Sequence, residues 1–286
     1  MSFFPEPDQA EVLPAISSTG NAFLMLGSCH DLLPELADDS VALMLFSPPY
    51  DQARDYGGKY TFDLHRLGEQ VWRVLMPGGV CVMVIQDMII DGSRSLTSFR
   101  AITDWCDNVG FTLFDTLIYQ RHGAPGVAAR FRTDHEYMPV FIRGNKPRVF
   151  NTAHLTEPAA YGGSKRPGGA ARRNTDGTMS YGQAMVHGMK INRGSVWRYV
   201  PTPQDRSYDT KLKHTHPATF PNKLAYDHVL CWTQPGDMVC DPMMGSGTTG
   251  VAALSAGRQF IGMEVNPTYL DIAQERCNLI AQWGST

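Results

Sequence analysis

The ten residues DPMMGSGTTG, 241 to 250, follow a short apolar run, DMVCD (237–241), and lead directly into TGVAALSAG (249–257). A strand that breaks into a turn with glycines at 245, 247 and 250 and re-enters the chain as a helix is the signature of an α/β unit. Glycine permits both the left-handed backbone and the close approach that such a turn needs. The rest of the chain keeps that pattern. Strands are expected at 22–28, 41–47, 79–86, 112–119, 136–143, 237–241 and 259–265, with helices at 62–75, 98–109, 223–233, 249–257 and 268–283. Short apolar runs alternating with amphipathic stretches predict a parallel sheet with crossover helices. Between 119 and 136 lies a Gly/Pro/Arg loop instead of a helix, so that strand pair is expected to be an antiparallel edge hairpin.

Gly245, Gly247 and Gly250 match G-x-G-x-x-G, so a dinucleotide turn is one reading. Asp241 argues against it, because a carboxylate at the strand end would repel a pyrophosphate. It would attract a cationic, phosphate-free cofactor. S-adenosylmethionine carries an ammonium and a sulfonium, and Glu264, at the end of QFIGMEV, stands where an acid accepts from both ribose hydroxyls. A turn that merely links strand to helix is the plain alternative.

A second stretch, LFSPPYDQ (45–52), ends the apolar run VALMLF on Ser47-Pro48-Pro49-Tyr50. Proline cannot donate to a sheet ladder, so the strand must stop there, with Ser47 and Tyr50 at its carboxyl edge. In open parallel sheets that edge is where ligands bind. A proline-terminated strand with no further role is the bland reading of this stretch.

Charge is uneven along the chain. Residues 143 to 215 hold 13 Lys or Arg against 4 acids, a local +9 in a chain of net −3, which leaves −12 elsewhere. Tyr161, Tyr181, Trp197, Tyr199 and Tyr208 are interspersed with these charges, a mixture that suits a surface tracking a phosphate backbone. A solvated loop region is the alternative. The six cysteines show no C-x-x-C pair or metal-ligand spacing, so reduced thiols and no metal are expected. Without a signal-like start or a membrane-length apolar run, a soluble cytoplasmic protein is expected.

Together these motifs resemble the amino-methylating DNA methyltransferases of bacteria and phages. The resemblance runs through SPPY (47–50), LGEQVWRVLMPGG (67–79), RFRTDHEYMPVF (130–141), HPATFP (216–221), DPMMGSGTTG and GMEVNPTYLDIAQER (262–276). The amine motif comes first and the cofactor loop last, with the basic segment between them, an order known as the beta class. The resemblance implies a Rossmann-like seven-stranded methyltransferase sheet, permuted, with an inserted basic target-recognition region. The divisions expected are 1–144 (catalytic part), 145–215 (target recognition) and 216–286 (cofactor-binding part).

The chemistry that follows is transfer of a methyl group from S-adenosylmethionine to the exocyclic amine of a flipped base. That amine is a poor nucleophile, because its lone pair is delocalised into the ring. Acceptors aimed at its protons draw it out of conjugation: the Ser47 hydroxyl and the Pro48 carbonyl, stiffened by Pro49, while Tyr50 stacks on the base. Methylation at cytosine carbon 5 uses a cysteine after a proline, and no cysteine here follows one.

The implied cofactor residues are Asp241, Pro242, Met243, Gly245, Ser246, Gly247, Thr248 and Glu264, with Phe220 and Pro221 at the methionine end. Many relatives have Gly-Asp where this chain has Gly27-Ser28, so Ser28 or Asp31 would have to meet the adenine. Arg132, His135, Lys165, Arg166, Arg172, Arg173, Lys190 and Arg193 are the expected DNA contacts; an Arg132–Glu136 pair holding the hairpin is the structural alternative for that motif, and His216 has two readings, a cap for its turn or a catalytic part. Serine at the first motif position leans slightly to cytosine N4, with adenine N6 the alternative. Double-stranded DNA is the expected partner; a homodimer, and a cognate restriction endonuclease as against an orphan enzyme, stay open. A nicotinamide-dependent dehydrogenase and a non-catalytic DNA-binding regulator are the remote alternatives.

Overall fold

The computed structural model of the protein describes residues 16–19, 21–49, 62–121, 130–160, 163–166, 171–181, 185–186, 188–199 and 219–283. In chain order the main elements are β1 (Ile16–Thr19), β2 (Ala22–Leu26), α1 (Cys29–Leu32), β3 (Val41–Phe46), α2 (Leu64–Val74), β4 (Leu75–Met83), α3 (Thr97–Asp104), β5 (Thr112–Gln120), β6 (His135–Ile142), β7 (Val196–Arg198), α4 (Asn222–Trp232), β8 (Met238–Asp241), α5 (Thr248–Ser255), β9 (Gln259–Glu264) and α6 (Pro267–Trp283).

Nine strands form one sheet in the order β1-β2-β9-β8-β3-β4-β6-β5-β7. From β2 to β4 all neighbours are parallel. β1 and β6 run against their neighbours. β3 is apolar and buried along its whole length, as a strand covered on both faces must be. Its alternate residues part between two cores. Leu43 and Leu45 join Val80, Val82 and Val84 under α4, α5 and α6, whereas Met44 and Phe46 join Cys81, Met83 and Ile85 under α1, α2 and α3. The result is a three-layer α/β/α architecture.

Local chemistry explains the helices. Asp63 caps α2 by accepting the Arg66 amide at 3.0 Å, and Leu67, Val71 and Val74 recur on its buried face. α1 starts on Ser28, whose hydroxyl accepts the His30 amide at 3.3 Å.

The seven expected strands and five expected helices are present, and the chain-terminal strands β8 and β9 lie inside the sheet, as a permuted order requires. The crossover after β8 leads to β9, while that after β3 leads to β4 on the other side. The connections therefore diverge between β8 and β3, which opens a crevice at their carboxyl ends.

Two expectations need correction. β5 and β6 do pair antiparallel, but they are not the edge: β7 adds outside, parallel to β5. The basic segment also does not present all its aromatics. Trp197 and Tyr199 are buried in the core, Trp197 stacked on His228 with ring centres 4.6 Å apart. The reason is alternation: in β7 the middle residue points inward, as a strand on a half-covered sheet demands. The part of the segment before β7 is organised as nested antiparallel pairs, Thr156–Pro158 with Lys190–Asn192, Lys165–Arg166 with Met185–Val186 and Ala171–Arg173 with Met179–Tyr181. They are three separate two-stranded sheets nested in chain order, termed the finger, with Asn174 to Thr178 closing the innermost pair.

Candidate active site

Asp241 ends β8 between Gly262 of β9 and the end of β3. It is buried, and both its oxygens are engaged. Oδ1 accepts the Met243 amide at 3.0 Å, and Oδ2 lies 2.8 Å from the Thr249 hydroxyl. That hydroxyl is also 3.1 Å from the Leu45 carbonyl oxygen. The glycine turn and the strand that delivers Ser47-Pro48 are thus joined through one threonine, across 204 positions of sequence. Burial pushes the Asp241 carboxyl up to about 7; the Thr249 and Met243 hydrogen bonds oppose this, and the charge of Glu264 adds to it.

Glu264 ends β9 and leans across the turn. Its Oε2 accepts the Gly245 amide and its Oε1 the Asn266 amide, each at 2.9 Å. Burial raises its pKa against those bonds. Gly247 takes φ +78°, and a Cβ there would meet that of Ala273 at 2.9 Å, so only glycine lets the turn settle on α6. At Gly262, beside Asp241, a Cβ would sit 2.2 Å from the Met244 sulfur.

The turn is held from behind by Arg276 of α6, which is fully buried. Its guanidinium donates to the Ser246 carbonyl and lies 3.3 Å from the Ser246 hydroxyl, 3.4 Å from the Thr248 hydroxyl and 3.3 Å from Asn222 Oδ1. The side chains of Ser246 and Thr248, expected to face a cofactor, are therefore turned toward Arg276. Sequence reasoning missed both Arg276 and Thr249. A charged residue three positions from Ala273, on the stripe that also holds Leu270 and Cys277, was the available signal for an inward-facing arginine.

The other expected residues fall around this turn unevenly. The Gly27 amide donates to the Glu264 carbonyl at 2.8 Å, which brings Ser28 to the same edge. Ser28 is committed to capping α1, and Asp31 is exposed. His30 was not singled out from the sequence. Its ring nitrogens are shielded with no hydrogen-bond partner among the described residues, its ring is 5.0 Å from Phe62, and burial pushes its pKa down. Phe220 packs into the core and Pro221 is the N-cap residue of α4. Pro48 and Pro242 are buried, whereas Ser47, Pro49 and Met243 are half-buried. Tyr50 and His216 lie outside the described residues.

Of the expected DNA contacts, Lys165, Arg166, Arg172, Arg173 and Lys190 are on the finger. Arg193 is not available in the way expected. Its guanidinium is 3.3 Å from Asp227 and 3.4 Å from Glu157, because the fully buried Asp227 requires a cation. Lys223 and the Tyr199 hydroxyl complete that cluster, each 3.0 Å from Asp227. Arg132 reaches Asp134 at 3.6 Å, and His135 is 3.7 Å from the same carboxylate. Glu136 pairs with Arg121 at 3.1 Å, while Arg132, the pairing that the sequence offered for it, reaches Asp134 instead.

The donor set suits a cationic nucleoside cofactor. Two buried carboxylates end adjacent parallel strands, and burial raises the pKa of both, a shift that a nearby cation would bring back down. Between them lies a glycine-lined turn in which Gly247 and Gly250 have no room for a side chain. Burial pushes the Cys29 and Cys231 thiols up to about 12, and those of Cys81 and Cys240 well above their ordinary value, which disfavours the thiolate at these four positions.

The family model described as DNA methylase (N6_N4_Mtase) matches residues 41–275. The orphan methyltransferase M.BamHII of Bacillus amyloliquefaciens is 36% identical over 243 residues, covering 84% of this chain and 90% of its own. Among solved structures, the cytosine-N4-specific PvuII DNA methyltransferase superposes with a TM-score of 0.69 at 22% identity, over 91% of this chain and 87% of its own. The M1.HpyAVI complex with SAM superposes with a TM-score of 0.57 at 20% identity, over 90% and 99%. Because the family match runs from the first residue of β3 to within one residue of Arg276, and so takes in both motifs of the site, the chain belongs to the DNA methylase family and is an S-adenosylmethionine-dependent DNA amino-methyltransferase.

Proposed function

We propose that the protein methylates the exocyclic amine of one base within a specific duplex sequence, with cytosine N4 as the favoured target, in the beta-class arrangement. The observation that carries this reading is the Thr249 bridge, which ties the Asp241 turn to the strand ending in Ser47-Pro48. When bound, S-adenosylmethionine supplies an electrophilic methyl group. Glu264 and Asp241 hold the donor, Glu264 toward ribose hydroxyls and Asp241 toward positive charge, with Gly245 and Gly247 allowing close backbone approach. The Ser47 hydroxyl and the Pro48 carbonyl accept from the target amine and restore its nucleophilicity. Tyr50 stacks on the extruded base. Positioning of the two reactants supplies most of the rate, so no covalent intermediate on the protein is required.

The finger is the natural reader of sequence in this account. A two-stranded ribbon fits the major groove, and Lys165, Arg172, Arg173 and Lys190 bring positive charge to it. The division into a catalytic part (1–144), a recognition part (145–215) and a cofactor part (216–286) follows, with β7 and Tyr199 belonging to the packed core. Serine at the head of SPPY and the likeness to the cytosine-N4-specific PvuII enzyme support the lean to cytosine. The test is expression in a host without DNA methylation, followed by nucleoside mass spectrometry and methylation-sensitive sequencing. N4-methylcytosine at one recurring sequence is the expected product. N6-methyladenine would move the reading to adenine, and the absence of any methylated amine would overturn it.

A further inference from the structure

Phe131 is 99% exposed, more than any other large apolar side chain among the described residues. It stands between Arg130 and Arg132, both exposed, in the sequence RFR that precedes β6. The loop that carries it is braced. Arg94 donates to the Thr133 hydroxyl at 2.6 Å and to the Asp87 carbonyl at 2.9 Å, while the Asp87 carboxylate takes the Ser98 amide at 2.9 Å and its hydroxyl at 2.8 Å. Arg130 donates to the Gly92 carbonyl. On the other flank the Arg121 amide donates to the Asp134 carbonyl at 2.6 Å, and Gln86 donates to the His135 carbonyl at 2.9 Å. A phenyl ring is thus held out into water by a fixed scaffold.

Its position is as specific as its exposure. β6 is antiparallel to β4, so it begins at the edge where the parallel strands end. Met83 of β4 pairs with Phe46, the residue before Ser47, and Ile85 bridges Tyr137 of β6. The loop therefore rises from the same sheet edge as the SPPY strand, two strands away.

We infer that Phe131 is a DNA wedge: on binding, its ring enters the base stack beside the extruded base, and the guanidiniums of Arg130 and Arg132 flank it on the phosphates. An apolar side chain offered at a duplex stabilises an unstacked step, and cations on either side meet the charge of the backbone that an inserting ring must pass. The inference rests on the base-extrusion reading above. Phe131 is a positioning residue, since it acts by holding the duplex open.

The test uses the full chain and a duplex bearing 2-aminopurine at the target position of the sequence mapped by methylation sequencing. With the parent, 2-aminopurine emission should rise on binding. With Phe131→Ala the rise should fall severalfold and methyl transfer on the natural duplex should slow about tenfold or more, with S-adenosylhomocysteine affinity and the thermal midpoint unchanged. Phe131→Trp should restore both readouts. A duplex with an abasic site opposite the target, which removes pairing, should return Phe131→Ala to near the parent rate. If the parent brightens and Phe131→Ala brightens and methylates equally, the wedge is wrong and extrusion stands. Slowing that persists on the abasic duplex also overturns the wedge. If the parent methylates without any rise in emission, the extrusion reading fails and the wedge with it.

Discussion

Asp241 is an acid whose ionisation the fold opposes. Its carboxyl is pushed from 3.8 in the unfolded chain to about 7 by burial, so the folded protein keeps a proton that the unfolded chain has lost. Its contribution to stability is therefore fully present below about pH 4 and is lost as pH rises to about 7. At about 1.4 kcal/mol per pKa unit, the loss is on the order of a few kcal/mol. Asn fits the same place: its amide can donate to Thr249, whose hydroxyl turns to the Leu45 carbonyl, and its oxygen can accept the Met243 amide. Asp241→Asn should flatten the stability profile between pH 4 and 7, read by urea unfolding. Cofactor affinity should rise with pH through about 7 in the parent, because a cationic ligand prefers the ionised acid, and should be weak and nearly pH-independent in Asp241→Asn. Calorimetry with S-adenosylmethionine checks the second half, and a parent affinity that falls with pH would contradict the role given to Asp241.

The finger and α4 divide the basic segment between two tasks. Adjacent residues of a strand face opposite ways, so Arg172 and Arg173 cannot both meet phosphates from one face of the ribbon. One of the single variants Arg172→Gln and Arg173→Gln should reduce the slope of log affinity against log salt by about 1, and the other by much less. Equal losses in both would argue against a ribbon laid with one face on the duplex. Arg193 belongs to the other task. Arg193→Leu removes from the buried Asp227 its one guanidinium partner among the described residues, leaving Lys223, the Tyr199 hydroxyl and His154 at 3.9 Å, and should cost roughly 3 kcal/mol in denaturant unfolding, part of which Asp227→Leu should restore in the double variant. Composition could show that this segment is basic. It could not show which arginines are spent inside, because ion pairing to Asp227 depends on an acid 34 positions away in another element.

Across the whole molecule, what was legible in the sequence follows the range of the interactions involved. Strands such as VALMLF and turns such as DPMMGSGTTG announce themselves through local periodicity and glycine spacing, and they fall where expected. β7 and the finger were missed because two- and three-residue strands have no period to read, and β7 is made a strand by pairing with β5. The two motif acids were legible, yet Thr249 and Arg276, which hold the turn in place, are defined by contacts to Leu45 and Ser246 that no spacing reveals. The permuted order makes this general: the site is assembled from the strand at 41–46 and the turn at 241–250, which meet only in the folded sheet. Ser47, which the first of these delivers, is the residue given the amine chemistry. Single-turnover methyl transfer by Ser47→Ala, at saturating S-adenosylmethionine and DNA, tests it most directly. Loss of one preorganised acceptor should slow transfer on the order of a hundredfold while binding of both ligands is kept. Transfer at the parent rate would contradict it.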